Sequence, residues 1–260
     1  MEENWEIYPC LIEDEIALIA VDLAKLEGAP RATHPVRLEV RVPLRAPDED
    51  GLVDEDEMGE LLGIEQGLFN HLSEACAAIP LGHVTTQAER VWYFQVGEAA
   101  GFDEAVATGL AQAAEYEPEI SAVEDSEWEL YRGLLVPEPL EFQSIQNRRM
   151  CAALLEHGDT LQLPRLVTHW AFFGSETARE SFQSELVVQG FATELDATPE
   201  EEDGSPFVPT PGEEYCLRFE REDRVDVTAV DELVLPLFEL AETHGGRYEG
   251  WETTVEGAEG

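Results

Sequence analysis

Lysine occurs once in this chain of 260 residues, at Lys25, and Lys plus Arg total 15 against 57 Asp plus Glu, a formal net charge of −42. Binding nucleic-acid phosphates needs clustered cations whose counterion release drives association. The scarcity of positive charge therefore speaks against direct, non-specific RNA or DNA binding. There is no uninterrupted run of about eighteen apolar residues, so no transmembrane helix and no membrane role are expected. The first residues, Met1-Glu2-Glu3-Asn4, are acidic where a secretory signal is basic. Four widely spaced cysteines, Cys10, Cys76, Cys151 and Cys216, form no CxxC pair, so neither a zinc site nor a disulfide framework is signalled. They read as small buried hydrophobes in a reducing compartment, and the cytoplasm is the expected location.

The markers of common chemistries are also missing. There is no GxxxxGK[ST] or GxGxxG phosphate loop, no GxSxG nucleophile elbow and no pair of histidines at zinc-protease spacing. We expect no catalytic residue, no metal site and no cofactor, although paired carboxylates carry almost no information in so acidic a chain. His157 and His244 each precede a helix-ending glycine, where positive charge complements the helix dipole. His169 reads as core packing beside Trp170.

What is present supports folding: 43% apolar and 8% aromatic residues, well above a disordered chain of this charge. The length suggests two domains of roughly 100–150 residues each. Trp5 to Cys10 and Ile16 to Asp22 read as strands around an acidic turn, and Val36, Leu38, Val40, Val42 and Leu44 alternate as a half-buried strand. Leu61 to Ile79 has helical spacing, ended by Pro80. Gly82 to Gln87 pairs with Arg90 to Val96, a helix spans Asp103 to Ala114, and a hairpin spans Glu119 to Arg132.

Pro137 and Pro139 mark a boundary, giving domains 1–136 and 137–260. In the second, a helix over Glu141 to His157 places Phe142, Ile145, Met150, Leu154 and Leu155 on one stripe. A strand from Leu166 to Phe173, a helix capped by Ser175, and a strand from Phe191 to Asp196 follow. After a proline-rich acidic loop from Thr198 to Gly212 come a strand from Glu214 to Arg221, a helix opened by a Thr228/Asp231 capping box, and a strand from Tyr248 to Val255. Pro236 demands that this last helix bend or begin near Asp231. The expected fold class is α+β: two ferredoxin-like α/β sandwich domains, each an antiparallel sheet with helices packed on one face.

One motif stands out: His244-Gly245-Gly246-Arg247-Tyr248-Glu249-Gly250-Trp251-Glu252-Thr253. It resembles the closing signature of the regulator of ribonuclease E activity B (RraB) family. Upstream, Asn147, Leu154, Leu155, Glu156, Gly158 and Asp159 are similar to that family's opening helix and its glycine-acid exit. The first half, from Asn4-Trp5 to Gln146-Asn147-Arg148-Arg149, resembles a bacterial domain family of unknown function found fused to this module. The resemblance implies a binding protein, not an enzyme: an inhibitor or modulator of a ribonuclease E-type endoribonuclease. Its partner would carry a basic segment, ribonuclease E or a degradosome component, contacted through Tyr248, Glu249, Trp251 and Glu252. In the structural alternative, Trp251 fills core and Gly250 allows a kink. Two other functions stay open: an enzyme in the first domain with a regulatory second domain, and an acidic mimic of nucleic acid. The acidity equally suits solubility or a compositional bias.

Overall fold

The computed structural model describes residues 3–97, 101–111, 113, 115–195, 197 and 210–256. The chain divides into two compact units, Met1–Glu141 and Phe142–Gly260. Both are α+β, and the strands in each pair antiparallel.

The first unit opens with a hairpin, β1 (Trp5–Ile12) and β2 (Glu15–Asp22), whose turn residues Glu13 and Asp14 have positive φ. Then come β3 (Val36–Pro43), α1 (Glu55–Cys76), β4 (Ile79–Thr86), β5 (Glu89–Val96), α2 (Phe102–Gly109) and β6 (Glu119–Glu124). The six-stranded order β1-β2-β4-β5-β3-β6 contains a split βαβ arrangement, β3 to β6, with the hairpin added beyond β4. Leu38 and Val40 on β3, Leu61, Leu68 and Leu72 on α1, Trp92 and Phe94 on β5, and Val106 on α2 form one core with no exposed area. Burial of each such side chain contributes roughly 1.5–3 kcal/mol. Asp54 caps α1 and three acidic residues fill its first turn, complementing the helix dipole. Where α1 meets α2, a Cβ on Gly67 would lie 2.4 Å from the Gly109 carbonyl oxygen, so only glycine permits the approach.

Three sequence expectations need correcting here. Pro80 does not stop α1: the helix ends at Cys76, Ala77 turns left-handed, and Pro80 lies in β4 at a register shift, where a missing ladder donor is tolerated. The expected helix to Ala114 ends at Gly109, and Ala114 itself lies outside the described residues. The expected hairpin over 119–132 is a single strand, β6. Asp125 accepts from the Glu129 and Leu130 N–H groups (2.7 and 3.4 Å), and a π-helical turn follows over Tyr131–Leu135. Trp128, Tyr131 and Leu135, all fully buried, gain more from packing than from strand pairing.

In the second unit, α3 (Pro139–Glu156), which runs across the division, precedes β7 (Arg165–Phe173), α4 (Glu176–Val188), β8 (Ala192–Leu195), β9 (Tyr215–Asp223), α5 (Val227–Thr243) and β10 (Gly246–Thr253). The sheet order β10-β7-β9-β8 repeats the split βαβ arrangement without an added hairpin. Phe182 and Leu186 on α4 and Val230, Val234 and Ala241 on α5 share one core with Ala171, Phe173, Leu217 and Phe219 of the sheet.

Here too the details differ. Asp226, not Thr228, caps α5, accepting from the Ala229 N–H at 3.2 Å. The helix continues through Pro236, so Asp231 is released for other contacts. On α3 only Ile145 and Leu154 of the expected apolar stripe are buried. Phe142, Met150 and Leu155 are exposed, and the buried face carries Gln143 and Asn147 instead. Most of the expected loop, residues 198–209, lies outside the described residues.

Candidate functional site

The closing motif forms β10, an edge strand that among the described residues pairs only with β7. Its register shifts between Tyr248 and Gly250, leaving Glu249 as a bulge, and Gly250 has φ 149°, a conformation that disfavours an L side chain. The bulge sorts the motif. Tyr248 and Trp251 face the core at 4% and 7% exposure, whereas Glu249 and Glu252 are exposed.

A polar network holds the strand to two helices. Trp251 Nε1 donates to Asn147 Oδ1 (2.9 Å), and Asn147 Nδ2 donates to Asp231 Oδ1 (2.8 Å). Gln143 Nε2 also donates to Asn147 Oδ1 (3.2 Å), and Ser144 Oγ to Asp231 Oδ2 (2.6 Å). Asn147 is fully buried, so its amide must be paired or cost the fold heavily. This explains why the inner face of α3 is polar.

Behind Tyr248 its hydroxyl lies 2.7 Å from His169 Nδ1, and the His169 ring stacks on Phe219 at 5.1 Å. Burial, aided by the charge of Arg221, pushes the imidazole down to about 3, so it is neutral. Its Nε2 has no partner among the described residues. His169 is thus a core residue, packed on Phe219 and Tyr248. Past the strand, Arg165 Nη2 donates to Asp159 Oδ1 (2.9 Å) and Arg165 Nη1 to Asp159 Oδ2 and to the Thr254 carbonyl. The Asp159 Oδ2 also accepts from the Glu256 N–H at 2.8 Å. Arg165 holds the Asp159 carboxyl well below the usual carboxylate range. The pair is closed to solvent. It ties the glycine-acid exit of α3 to the chain after β10.

Between α3 and β10 runs a cavity of about 420 Å³, lined by Gln143, Gln146, Arg149 and Met150 on one side and Glu249, Gly250 and Trp251 on the other. A Cβ on Gly250 would meet nothing within 4 Å, so the glycine answers to backbone geometry, not to space. Arg247 pairs with Glu249 through Nη1 and with Glu213 through Nε (2.9 Å), moderating the charge at one end of the strand. The arrangement is suited to holding a polypeptide: an edge strand, an adjoining groove and exposed carboxylates.

Nucleophile and metal chemistry find little here. Burial, with Asp231 and Asp226 adding to it, raises the Cys151 thiol to about 11, where it is unreactive at neutral pH. Among the described residues no group of three His, Cys, Asp or Glu is placed to hold a metal, and no helix is long and apolar enough to cross a membrane.

Residues 3–136 match the family of unknown function DUF695. The chain belongs to that family. Residues 144–253, which contain Asn147, Asp231 and Trp251 of the α3/β10 network but not Gln143, match the family described as regulator of ribonuclease activity B. No curated protein matches the chain significantly. A crystal structure of an unknown protein from Galdieria sulphuraria is 15% identical over 85% of this chain and 99% of its own, with a TM-score of 0.22, too low to carry an argument. Of the network, Asn147, Asp159 and Trp251 were legible in the sequence through the family resemblance. Asp231 was misread as a capping residue, and Gln143, Ser144 and Arg165 carried no local signal.

Proposed function

We propose that the second half is a protein-binding module that modulates a ribonuclease E-type endoribonuclease in the cytoplasm by docking a basic segment of it, or of a degradosome component. The match of residues 144–253 to the regulator of ribonuclease activity B family carries this reading. The charge of −42 supports it, since an acidic surface speeds encounter with a cationic segment over about a Debye length. Glu249 and Glu252 are the contacts, Trp251 contributes the edge that lines the α3/β10 cavity, and Tyr248 holds the strand in register from below. The first half has no activity assigned to its family.

The test is recovery of partners from lysate by the full chain and by the E249K/E252K variant, at low and moderate salt. We expect a ribonuclease or degradosome component with the wild type, held roughly tenfold more weakly by the variant and released as salt rises. Recovery of no such component even at low salt would remove the reading.

A further inference from the structure

The first unit has its own cleft, far in character from the α3/β10 groove. It has a volume of about 600 Å³ and is lined by Glu3, Glu65 and Glu74, with Trp5 and Phe69 as an aromatic wall and Asn70 at its side. Trp5 and Phe69 stack, with ring centroids 5.7 Å apart and planes 19° apart, and Phe69 is in turn fixed edge-on against the buried Phe94. Trp5 Nε1 donates to Glu3 Oε2 at 3.1 Å, which orients that carboxylate beside the ring.

Glu65 differs from an ordinary surface acid. It projects from α1 over the sheet with a side chain only 18% exposed. Its Oε2 accepts from Trp92 Nε1 at 2.9 Å and lies 2.6 Å from His83 Nδ1. Its other oxygen has no hydrogen-bond partner among the described residues. Burial works against the charge, but His83, Trp92 and Arg90 together hold the carboxyl below its ordinary value, so it is ionised. Burial lowers the His83 imidazole, while its hydrogen bond to Glu65 pulls the other way. Arg90 is buried, its Nε spent on Thr85 Oγ1 at 2.8 Å. A half-buried anion is therefore presented to a cleft that, among the described residues, no Lys or Arg lines, and an ionised group so placed is stabilised by a cation brought from outside.

We infer that this cleft binds an organic cation, a guanidinium or primary ammonium group seated against Trp5 and Phe69 and paired with Glu65 and Glu74. The aromatic wall decides against a bare metal ion: ring faces attract large, weakly hydrated cations, and the carboxylates do not converge as a metal set among the described residues. This inference is independent of the proposed ribonuclease partner, since it concerns only the first unit.

The five tryptophans, Trp5, Trp92, Trp128, Trp170 and Trp251, give a site-resolved test by following the indole N–H signals of the ¹⁵N-labelled full chain. Agmatine is titrated beside acetyl-Gly-Arg-Gly amide and the uncharged butylurea. We expect saturable shifts of the Trp5 and Trp92 signals only, none with butylurea, and an affinity weakened about tenfold or more by E65Q combined with E74Q. Tighter binding of agmatine would mark a free amine as the ligand class, and tighter binding of the peptide an arginine side chain. Failure to saturate, equal movement of all five signals, or unchanged affinity in the double variant would overturn the inference. Should E65Q fail to fold, E74Q alone, at an exposed position, is decisive on the same criteria.

Discussion

Each half of the molecule buries a tryptophan whose indole N–H donates across to a neighbouring helix at 2.9 Å, but the acceptors differ in kind. In the first half Trp92 meets the carboxylate of Glu65 on α1, which borders a cleft. In the second Trp251 meets the amide of Asn147 on α3, fully buried and satisfied by Gln143 and Asp231. The same device thus does two jobs. A neutral, fully paired acceptor fastens elements together, whereas an ionised acceptor at a cleft leaves an attraction unspent. The strand order shared by both halves supplies the frame, and the helix position that faces the tryptophan decides the use.

The largest effect should come from removing the indoles themselves. Trp251→Ala and Trp92→Ala should each lower the stability of their own half by about 3–5 kcal/mol, measured by urea denaturation. A cost below about 1 kcal/mol in either would break the equivalence. Next, Asp159→Ala should cost about 3 kcal/mol by stranding the Arg165 charge. Arg165 depresses the folded carboxyl below its unfolded value. This stabilisation is therefore complete above about pH 5 and is lost as pH falls through the unfolded and then the folded value. Unfolding curves of wild type and variant that stay equally separated from pH 7 to pH 3 would contradict that assignment.

His169 acts over a different pH range. Its folded value of about 3 lies under the unfolded value of about 6.5, so between them only the unfolded state takes the proton. The second half should lose about 1.4 kcal/mol per pH unit from this source as pH drops below 6.5. His169→Phe should flatten that slope while keeping the stack on Phe219. Persistence of the full slope would mean that another group carries it. The contrast between the two acceptors is sharpened by the smallest changes. Asn147→Ala should cost about 2 kcal/mol, since it orphans the Trp251 indole N–H and removes one of the two donors to Asp231. Glu65→Gln should cost about 1 kcal/mol, because an amide oxygen still accepts from Trp92. Equal losses, read by thermal unfolding, would erase the distinction.

The frame was readable in advance. The alternation of Val36 to Leu44, the helical spacing from Leu61, and the Ser175 cap all appear where expected, because period and cap chemistry act locally. The misreadings have a common cause. Pro80, Asp231 and the 126–135 segment each carry a familiar local signal that a longer-range partner overrides: a register shift, the side chains of Ser144 and Asn147, and the packing of Trp128, Tyr131 and Leu135. On β10 the motif was visible, but alternation alone could not tell which side chains face outward, since a single bulge at Glu249 resets the phase of the residues after it.

By itself, the sequence determined the class of fold, the division into two halves, the acidity and the family of each half. These follow from composition, from periodicities within one element and from one motif. Only the tertiary structure decided that Tyr248 and Trp251 point inward while Glu249 and Glu252 face solvent, and that Glu65 is presented to a cleft. Burial and charge pairing are set by residues far apart in the chain, and neither propensity nor spacing can encode which of them will meet.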